Sequence, residues 1–288
     1  MSGRLLLFCL AAALISGVSP GWGAQFAIDW AVLSGGGGEM ASASYRLNGS
    51  VGQSAAGYAS SASYQHWIGF WVEAAASVPP VPVVVNDLDE AKKLADGTAV
   101  QADGVVATTS SGAFGSTLIA YVEQEDRASG IRVALSSAAA WLTAGARVSV
   151  TGVMGTTAAG ERQIASAALT PGVGSNLLDA LRMTNKTLGG ATVGTPPAGQ
   201  SGVTGGYGVN TIGLLVFVEG KVINDPAQGY TLIDDGSGTP VRVETGHLAV
   251  LWSNGDYLKV TGLSSLSKNG ANHERVIIPR SNADVAGI

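Results

Sequence analysis

The residue types that most often carry out chemistry are sparse in this sequence. The three histidines, His66, His247 and His273, lie in separate segments without the paired spacing of a zinc site. The Gly-x-Ser-x-Gly pattern occurs in the sequence at 17–21, inside the apolar N-terminal region rather than at a strand-to-helix turn, and the sequence has no phosphate-binding loop or dinucleotide fingerprint. We therefore expect no catalytic residue and no cofactor.

A run of acidic and small residues, 234–238, is the strongest candidate for a cation site. It offers the carboxylates of Asp234 and Asp235, which supply too few oxygen ligands for calcium. Asp-Gly is also the expected chemistry of a hairpin turn. We favour the turn, and Asp234 and Asp235 stay as weak metal candidates.

The strands that would position such residues show an alternation of apolar and polar side chains. In 255–262, Leu258 and Val260 alternate with polar residues, and in 145–152, Val148 and Val150 do the same. This period of two is typical of a strand with one buried and one solvated face. Each of these strands lies between two glycines.

The rest of the chain aligns around these strands as two copies of one domain, which indicates a duplication. The matching blocks are 121–126 with 230–235, 131–133 with 241–243, and 161–164 with 274–277. In each copy a helix-like segment, 137–142 or 246–252, ends near a tryptophan, and Trp141 and Trp252 are predicted to plug the two cores.

The order strand, strand, strand, helix, strand, strand is that of the OB-fold, a five-stranded Greek-key barrel. We therefore predict an all-β protein with two tandem OB-fold-like barrels, a small β unit before them and short helices. One such helix is expected at 86–97, with Asn86 or Asp87 as its N-cap.

The N-terminus resembles a secretory signal peptide. Arg4 precedes an apolar run, 5–15, that is too short to span a bilayer. The only cysteine, Cys9, lies in that run, so the mature chain would have none. No later segment is apolar for long enough to span a membrane, and we expect a secreted or cell-envelope protein without a transmembrane segment.

Composition divides the chain into six segments. The predicted segments are a signal peptide at 1–24, a small β module at 25–76, a Pro-rich linker at 77–85, a first OB-like domain at 86–170, a Gly/Thr/Pro-rich linker at 171–209 and a second OB-like domain at 210–288. Composition leaves open whether the second linker is an ordered loop or a flexible one.

Two stretches resemble known families. Trp30, the glycine run 35–38, the stretch 44–53 and the Gly-Phe-Trp at 69–71 resemble a β module near the N-termini of secreted bacterial surface proteins. Segments 91–97, 122–126 and 230–238 resemble those of OB-like domains found in tandem in secreted bacterial proteins. These resemblances imply the fold and secretion, and they imply no chemical role.

An OB-fold binds ligands on the outer face of its second and third strands. In the first domain this face should carry Tyr121 and Arg132, and in the second Tyr230 and Arg242. An aromatic ring beside a cation can stack on a base in a nucleic-acid groove. The same pair can also contact a glycan or a protein surface.

The acidic net charge of the chain favours a glycan or a protein over a nucleic acid as the partner of this face. The net charge is −5 at pH 7, and Glu123 and Glu125 are expected on the same face as Tyr121. Because binding of a phosphate backbone depends on cations, acidic residues disfavour nucleic acid. We favour a non-catalytic secreted or cell-surface binding protein for protein or glycan. The alternative is a nucleic-acid-binding OB-fold protein, for example an accessory to an extracellular nuclease.

Overall fold

The chain divides into two compact units, Met1–Pro79 and Pro80–Ile288. The computed structural model describes the backbone of residues 36–41, 46–51, 57–60 and 65–68, and complete residues over 81–224, 229–249 and 252–288. The predicted signal peptide, the expected strand at 30–33 and the Gly-Phe-Trp at 69–71 lie outside the described residues.

The described part of the first unit consists of two antiparallel hairpins. Strand β1 (Gly36–Ala41) pairs with β2 (Arg46–Val51), and β3 (Gly57–Ser60) pairs with β4 (Gln65–Ile68). These strands lie within the β module that the sequence predicts at 25–76.

The first barrel of the second unit contains five strands and one added edge strand. Its strands are β5 (Val83–Val85), β6 (Ala99–Ala107), β7 (Ile119–Glu123), β8 (Gly130–Leu135), β9 (Ala146–Thr156) and β10 (Arg162–Ser175). The hydrogen-bonded order is β6-β7-β8-β10-β9, and β9 pairs back to β6, which closes the barrel. The prediction of an OB-like barrel is confirmed.

The closure of this barrel depends on a sharp bend in β6. Gly104 has φ +68°, a left-handed backbone conformation, and the pairing of β6 with β9 shifts register between Ala102 and Val105. Glycine adopts this conformation without the steric penalty that a Cβ would bring. The bulge lets one strand serve both sides of the barrel.

The second barrel has the same strand order. Its strands are β11 (Leu181–Arg182), β14 (Leu215–Val222), β15 (Tyr230–Asp234), β16 (Val241–Glu244), β17 (Tyr257–Asn269), β18 (Asn272–Ile278) and β19 (Val285–Gly287). The order β14-β15-β16-β18-β17 closes through pairing of β14 with β17, while β11 and β19 extend the edges.

Each barrel has its own apolar core, but tryptophan does not plug the first one. Trp141 is 43% exposed, and Leu142, the next residue, is 2% exposed within the core. In the second barrel Trp252 and Leu248 are partly buried and pack against the core. The prediction for Trp141 is therefore wrong by one residue.

The helices predicted before the fourth strand of each barrel are turns in the structure. In the first barrel, the N–H of Leu142 bonds to the C=O of Ala139 at 2.9 Å, and no helix forms over 137–142. In the second, residues 246–249 and 252 are also non-helical. So short a segment gains too few hydrogen bonds to offset the cost of helix nucleation.

The predicted helix at 86–97 is present in a shorter form. Helix α1 (Leu88–Lys93) begins after Asp87, whose side chain accepts a hydrogen bond from the N–H of Asp89 at 2.7 Å. The other helical segments of the described residues are single 3-10 turns at Ala113–Gly115 and Asn282–Asp284. Within the described residues, no helix is long and apolar enough to cross a membrane.

Parts of both predicted linkers form strands in the structure. Val83–Val85 of the Pro-rich segment forms β5, parallel to β6. The segment 171–209 is ordered and contains the hairpin of β12 (Val193–Thr195) and β13 (Ala198–Gln200). It also places Leu188, which is fully buried, in the core of the second barrel.

Candidate functional site

The ligand face predicted for the first barrel is covered by the second barrel. Tyr121 is 1% exposed, and its ring packs edge-on against Phe114 with centroids 5.9 Å apart. Leu215 and Leu263 of the second barrel complete this apolar cluster. Tyr121 therefore cannot contact a ligand, and this part of the sequence-based site is wrong.

Buried polar contacts strengthen the same interface. The Tyr121 hydroxyl donates to Glu161 Oε1 at 3.0 Å, and the Ser265 hydroxyl of the second barrel donates to Glu161 Oε2 at 2.7 Å. Burial raises the pKa of Glu161, although these two hydroxyl groups oppose the change. Both oxygens of the buried carboxyl group are thus occupied by protein donors.

The backbones of the two barrels approach closely beside this cluster. A Cβ added to Gly130 would lie 2.4 Å from the carbonyl oxygen of Gly213, and one added to Gly213 would lie 2.3 Å from that of Gly130. These distances are below any normal contact, so only glycine fits at either position.

The other residues predicted for the ligand face of the first barrel are also bonded to protein groups. Arg132 is half-buried, and its guanidinium donates to the side-chain oxygen of Gln163. Glu123 is fully buried at the barrel interface, whereas Glu125 pairs with Arg147 at 2.5 Å. The first barrel consequently offers no tyrosine-arginine ligand face.

The predicted pair of the second barrel does come together. The Arg242 guanidinium carbon lies 4.2 Å from the centre of the Tyr230 ring, a stacked cation–π contact. Arg242 Nε donates to Glu244 Oε1 at 2.6 Å, which fixes the guanidinium. Both Tyr230 and Arg242 are half-buried rather than fully buried.

The strand register shows that the two tyrosines are not equivalent. Tyr121 lies directly opposite Arg132, but Leu232, not Tyr230, lies opposite Arg242. The sequence alignment that superposes the tyrosines is thus offset by one pleat repeat. Tyr230 is instead the first residue of β15, and it lines the same groove as residues of the β17–β18 hairpin.

Tyr230 and Arg242 line a groove of about 640 Å³ on the second barrel. Its walls come from the second and third strands, from the β17–β18 hairpin and from Thr204 of the preceding segment. The lining residues are Thr204, Tyr230, Leu232, Pro240, Arg242, Lys268, Asn269, Asn272, His273, Glu274 and Arg275. We call this the Tyr230 groove.

The position of the Tyr230 groove is that of ligand sites in OB-folds. There the face of the second and third strands, together with the loop between the fourth and fifth strands, binds oligonucleotides and oligosaccharides. The β17–β18 hairpin, which supplies Lys268, His273 and Arg275, is that loop in this chain. The sequence did not place these three residues at a ligand site: His273 stands out there only as an isolated histidine and Arg275 only as part of the repeated block 274–277, although Lys268-Asn269-Gly270 has the composition of a hairpin turn.

Asp234 and Asp235 lie outside the Tyr230 groove, and their carboxylates stabilise the turn after β15 by accepting hydrogen bonds. Asp234 Oδ1 accepts from the N–H groups of Gly236 and Gly238, at 2.9 and 3.1 Å. Asp235 accepts from the N–H groups of Ser237 and Asn185, at 3.1 and 2.9 Å. In the described parts of the chain, no three His, Cys, Asp or Glu side chains converge as metal ligands.

A separate cleft of about 630 Å³ contains these aspartates and is bordered by Arg182 and Tyr257. Arg182 pairs with Glu219 at 2.9 Å and lies over the Phe217 ring. Arg182 therefore belongs to this cleft and does not close over the Tyr230 groove.

Comparison with known proteins assigns this chain to no family. No protein-family model matches the sequence, and no curated protein matches it. One similar solved structure is that of a murine DNA-binding protein bound to double-stranded DNA. It is 12% identical, with a TM-score of 0.32, over 67% of this chain and 98% of that chain. A TM-score this low carries no functional conclusion for this chain.

Proposed function

We propose that this chain is a non-catalytic, secreted or cell-surface binding protein whose ligand occupies the Tyr230 groove. The observation that carries the proposal is the contrast between the two barrels. The second barrel covers the ligand face of the first, with Tyr121 buried, while its own equivalent face stays accessible around Tyr230. The first barrel then acts as a support for the second.

The lining of the groove supports a glycan or protein ligand. The amides of Asn269 and Asn272 and the hydroxyl of Thr204 border the groove beside the Tyr230 ring. Aromatic rings supply apolar contact area, and hydroxyl and amide groups fix the orientation of a polar ligand. A shallow polar groove of this kind suits a ligand with many hydroxyl or amide groups.

A glycan array probed with the full chain, followed by calorimetric titration of any hit, tests this proposal. We expect Tyr230→Ala to weaken binding at least tenfold, because it removes the ring and the stacking partner of Arg242. Tyr257→Ala is the matched control. Tyr257 is also a tyrosine next to a cation, Lys221, but it borders the separate cleft.

Two results would contradict the proposal. One is a glycan or protein ligand whose affinity is unchanged in Tyr230→Ala. The other is a ligand that is lost in the Tyr257 control but retained in the Tyr230 variant.

The alternative function is binding of single-stranded nucleic acid. The observation that favours it is the stacked Tyr230–Arg242 pair, an arrangement that can accept a base. The acidic net charge of −5 and the carboxylates of Glu244 and Glu274 around the groove oppose it. Fluorescence anisotropy with a labelled oligonucleotide at about 150 mM salt distinguishes the two functions, and submicromolar binding lost on Tyr230→Ala would favour nucleic acid.

Secretion is part of the same proposal and rests on the sequence of residues 1–24. N-terminal sequencing of exported protein is expected to begin near residue 24 or 25. Exported protein that still begins at Met1 would contradict cleavage.

A further inference from the structure

One cation in the wall of the Tyr230 groove, Arg275, has no anionic partner among the described residues. Arg275 is half-buried, and its Nε is shielded from solvent without a hydrogen-bond acceptor in that part of the chain. Its Nη2 donates to the carbonyl oxygen of Lys186, at 3.4 Å. This distance is long for an N–H···O bond. Among the residues that the structure describes, no carboxylate lies within ion-pair distance of Arg275.

This arrangement is costly without a ligand. An arginine keeps its charge in proteins, so removal from water must be offset by hydrogen bonds or an opposite charge. Burial lowers the pKa of Arg275, and the nearby Tyr207 hydroxyl opposes this effect. The Arg275 Nη1 group has no hydrogen-bond acceptor among the described residues and, unlike Nε, is not shielded from solvent, so it can donate to an acceptor supplied from outside the chain.

A second cation lies at the same end of the groove. Lys268 is exposed on the β17–β18 hairpin, in register opposite His273. Within the described ranges its ammonium group has no carboxylate within ion-pair distance. Lys268 and Arg275 thus both border the groove with charges that no carboxylate of the described residues pairs with.

The two carboxylates near the groove do not neutralise this pair. Glu244 accepts a hydrogen bond from Arg242 at 2.6 Å. Glu274 accepts from Asn269 at 2.8 Å and from Ser267 at 3.3 Å. Glu244 is therefore paired with a cation, whereas Glu274 is held by neutral donors and keeps a charge that any anionic ligand must avoid.

We propose that Lys268 and Arg275 form an anion subsite of the Tyr230 groove, and that the ligand is a polysaccharide bearing uronic acid carboxylates. The proposal rests on the proposed function of the groove as a ligand site. The free Nη1 of the guanidinium can donate a charge-assisted hydrogen bond to a carboxylate, and the ammonium adds a point charge. The Tyr230 ring and the amides would contact the sugar.

The distribution of charge favours a uronate over a nucleic acid. Among the described residues, the lining cations without an ion-pair partner are Lys268 and Arg275 of the β17–β18 hairpin, while Arg242 is committed to Glu244 and Tyr230. A nucleic acid carries a phosphate at every nucleotide and needs a continuous line of cations. A glycan with separate carboxylates needs only a local subsite.

The test compares two forms of one polymer by titration calorimetry with the full chain. The probes are an oligogalacturonate and its methyl ester, which have the same sugar ring with and without the charge. We expect the acid form to bind at least tenfold more tightly than the ester, and the difference to shrink at high salt. A labelled oligothymidylate is the nucleic-acid arm.

Three variants test whether Lys268 and Arg275 form the anion subsite. Lys268→Gln should weaken binding of the acid form several-fold, and Arg275→Gln at least tenfold, because a charge-assisted hydrogen bond is lost. Lys259→Gln is the matched control. It removes the same charge from an exposed lysine that lies over Phe217, away from the groove. We expect this control to bind like the natural chain.

The outcomes separate the subsite from the groove. Equal affinity for acid and ester, with both lost in Tyr230→Ala, would overturn the anion subsite and leave the groove as the ligand site. Binding of neither form, or acid binding unchanged in Lys268→Gln, would also overturn the subsite. Oligothymidylate binding that is stronger than uronate binding and lost in Lys268→Gln would replace the uronate with nucleic acid. Failure of the proposed function itself would appear as a ligand insensitive to Tyr230→Ala.

Discussion

The carboxylate of Glu123 accepts a hydrogen bond from the backbone N–H of Leu215, which links a side chain of the first barrel to a strand of the second. Arg127 completes the link. Its Nη2 donates to the carbonyl oxygen of Leu215 at 2.8 Å, and its Nε donates to Glu123 at 2.7 Å. One ion pair thereby satisfies both backbone polar groups of a strand residue.

This link predicts a strong effect of Glu123→Ala on stability. The substitution leaves the Leu215 N–H and the Arg127 guanidinium buried without their partner, which should cost about 3–5 kcal/mol. Glu125→Ala is the matched control, since the Glu125–Arg147 pair is more exposed and should contribute less than about 1 kcal/mol. Urea unfolding measures both, and equal losses would contradict the role of the buried pair.

Because Leu142 rather than Trp141 is buried in the first core, replacing these two neighbouring residues should have different effects on stability. Leu142→Ala should destabilise the chain by about 2–5 kcal/mol, because Leu142 is buried in the first core. Trp141→Ala should cost less than about 1 kcal/mol, because this ring is 43% exposed. A thermal or urea unfolding series compares the two variants. A larger loss in Trp141→Ala would restore tryptophan as the core residue.

The burial of Lys92 predicts that the stability of the fold depends on pH above neutrality. It is 3% exposed, its Nζ donates to the Ile212 carbonyl at 2.8 Å, and burial lowers its pKa from 10.5 to about 8 despite nearby carboxylates such as Asp89. Between these two pH values the unfolded chain holds a proton that the folded chain has released. Stability should therefore rise with pH across this window, by on the order of 3 kcal/mol.

The Lys92→Met variant isolates this effect. Urea unfolding at several pH values between 7.5 and 10.5 should show a smaller rise in the variant than in the natural chain. The difference between the two curves removes the contribution of other titrating groups. Parallel curves would mean that Lys92 stays charged when folded.

The sequence predicts the strands well because their signal is local. The alternation in β15 and β17 gives each one buried and one solvated face, and the cap of α1 is readable from Asp87. The repeated order of five strands then leaves few ways to close a barrel. These features depend on neighbouring residues in the chain and not on packing between barrels.

The burial of Tyr121 is a different kind of feature, because it depends on packing between the two barrels. One local signal for it exists. Residues Ile119–Val122 of β7 are apolar on both faces, whereas Tyr230–Asp234 of β15 alternates between buried and half-buried residues. A continuous apolar strand is typical of burial on both sides. Lys268 and Arg275 reach the Tyr230 groove through the bend and hairpin of β17 and β18, which residue spacing does not reveal.

The Asp235 carboxylate in the turn after β15 is predicted to make the stability of the fold depend on pH in the acidic range. Burial acts to raise the pKa of Asp235, but hydrogen bonds from Ser237 and from the N–H of Asn185 outweigh it, so the pKa lies below its ordinary value. This carboxylate therefore stabilises the fold above its unfolded pKa, and the effect is lost as the pH falls through the lower folded pKa. Asp235→Ala should reduce the melting temperature at pH 7 and flatten its decline below about pH 4.

Calcium should not change this result. Because both Asp235 oxygens already accept backbone N–H groups, added Ca²⁺ should leave the melting temperature of the natural chain unchanged. Asp103→Ala is the control, since Asp103 is exposed and its hydrogen bonds within the described residues come from the Gln101 amide, at 2.9 and 3.1 Å. A calcium-dependent rise in melting temperature that disappears in Asp235→Ala but persists in Asp103→Ala would show that the turn is a metal site after all.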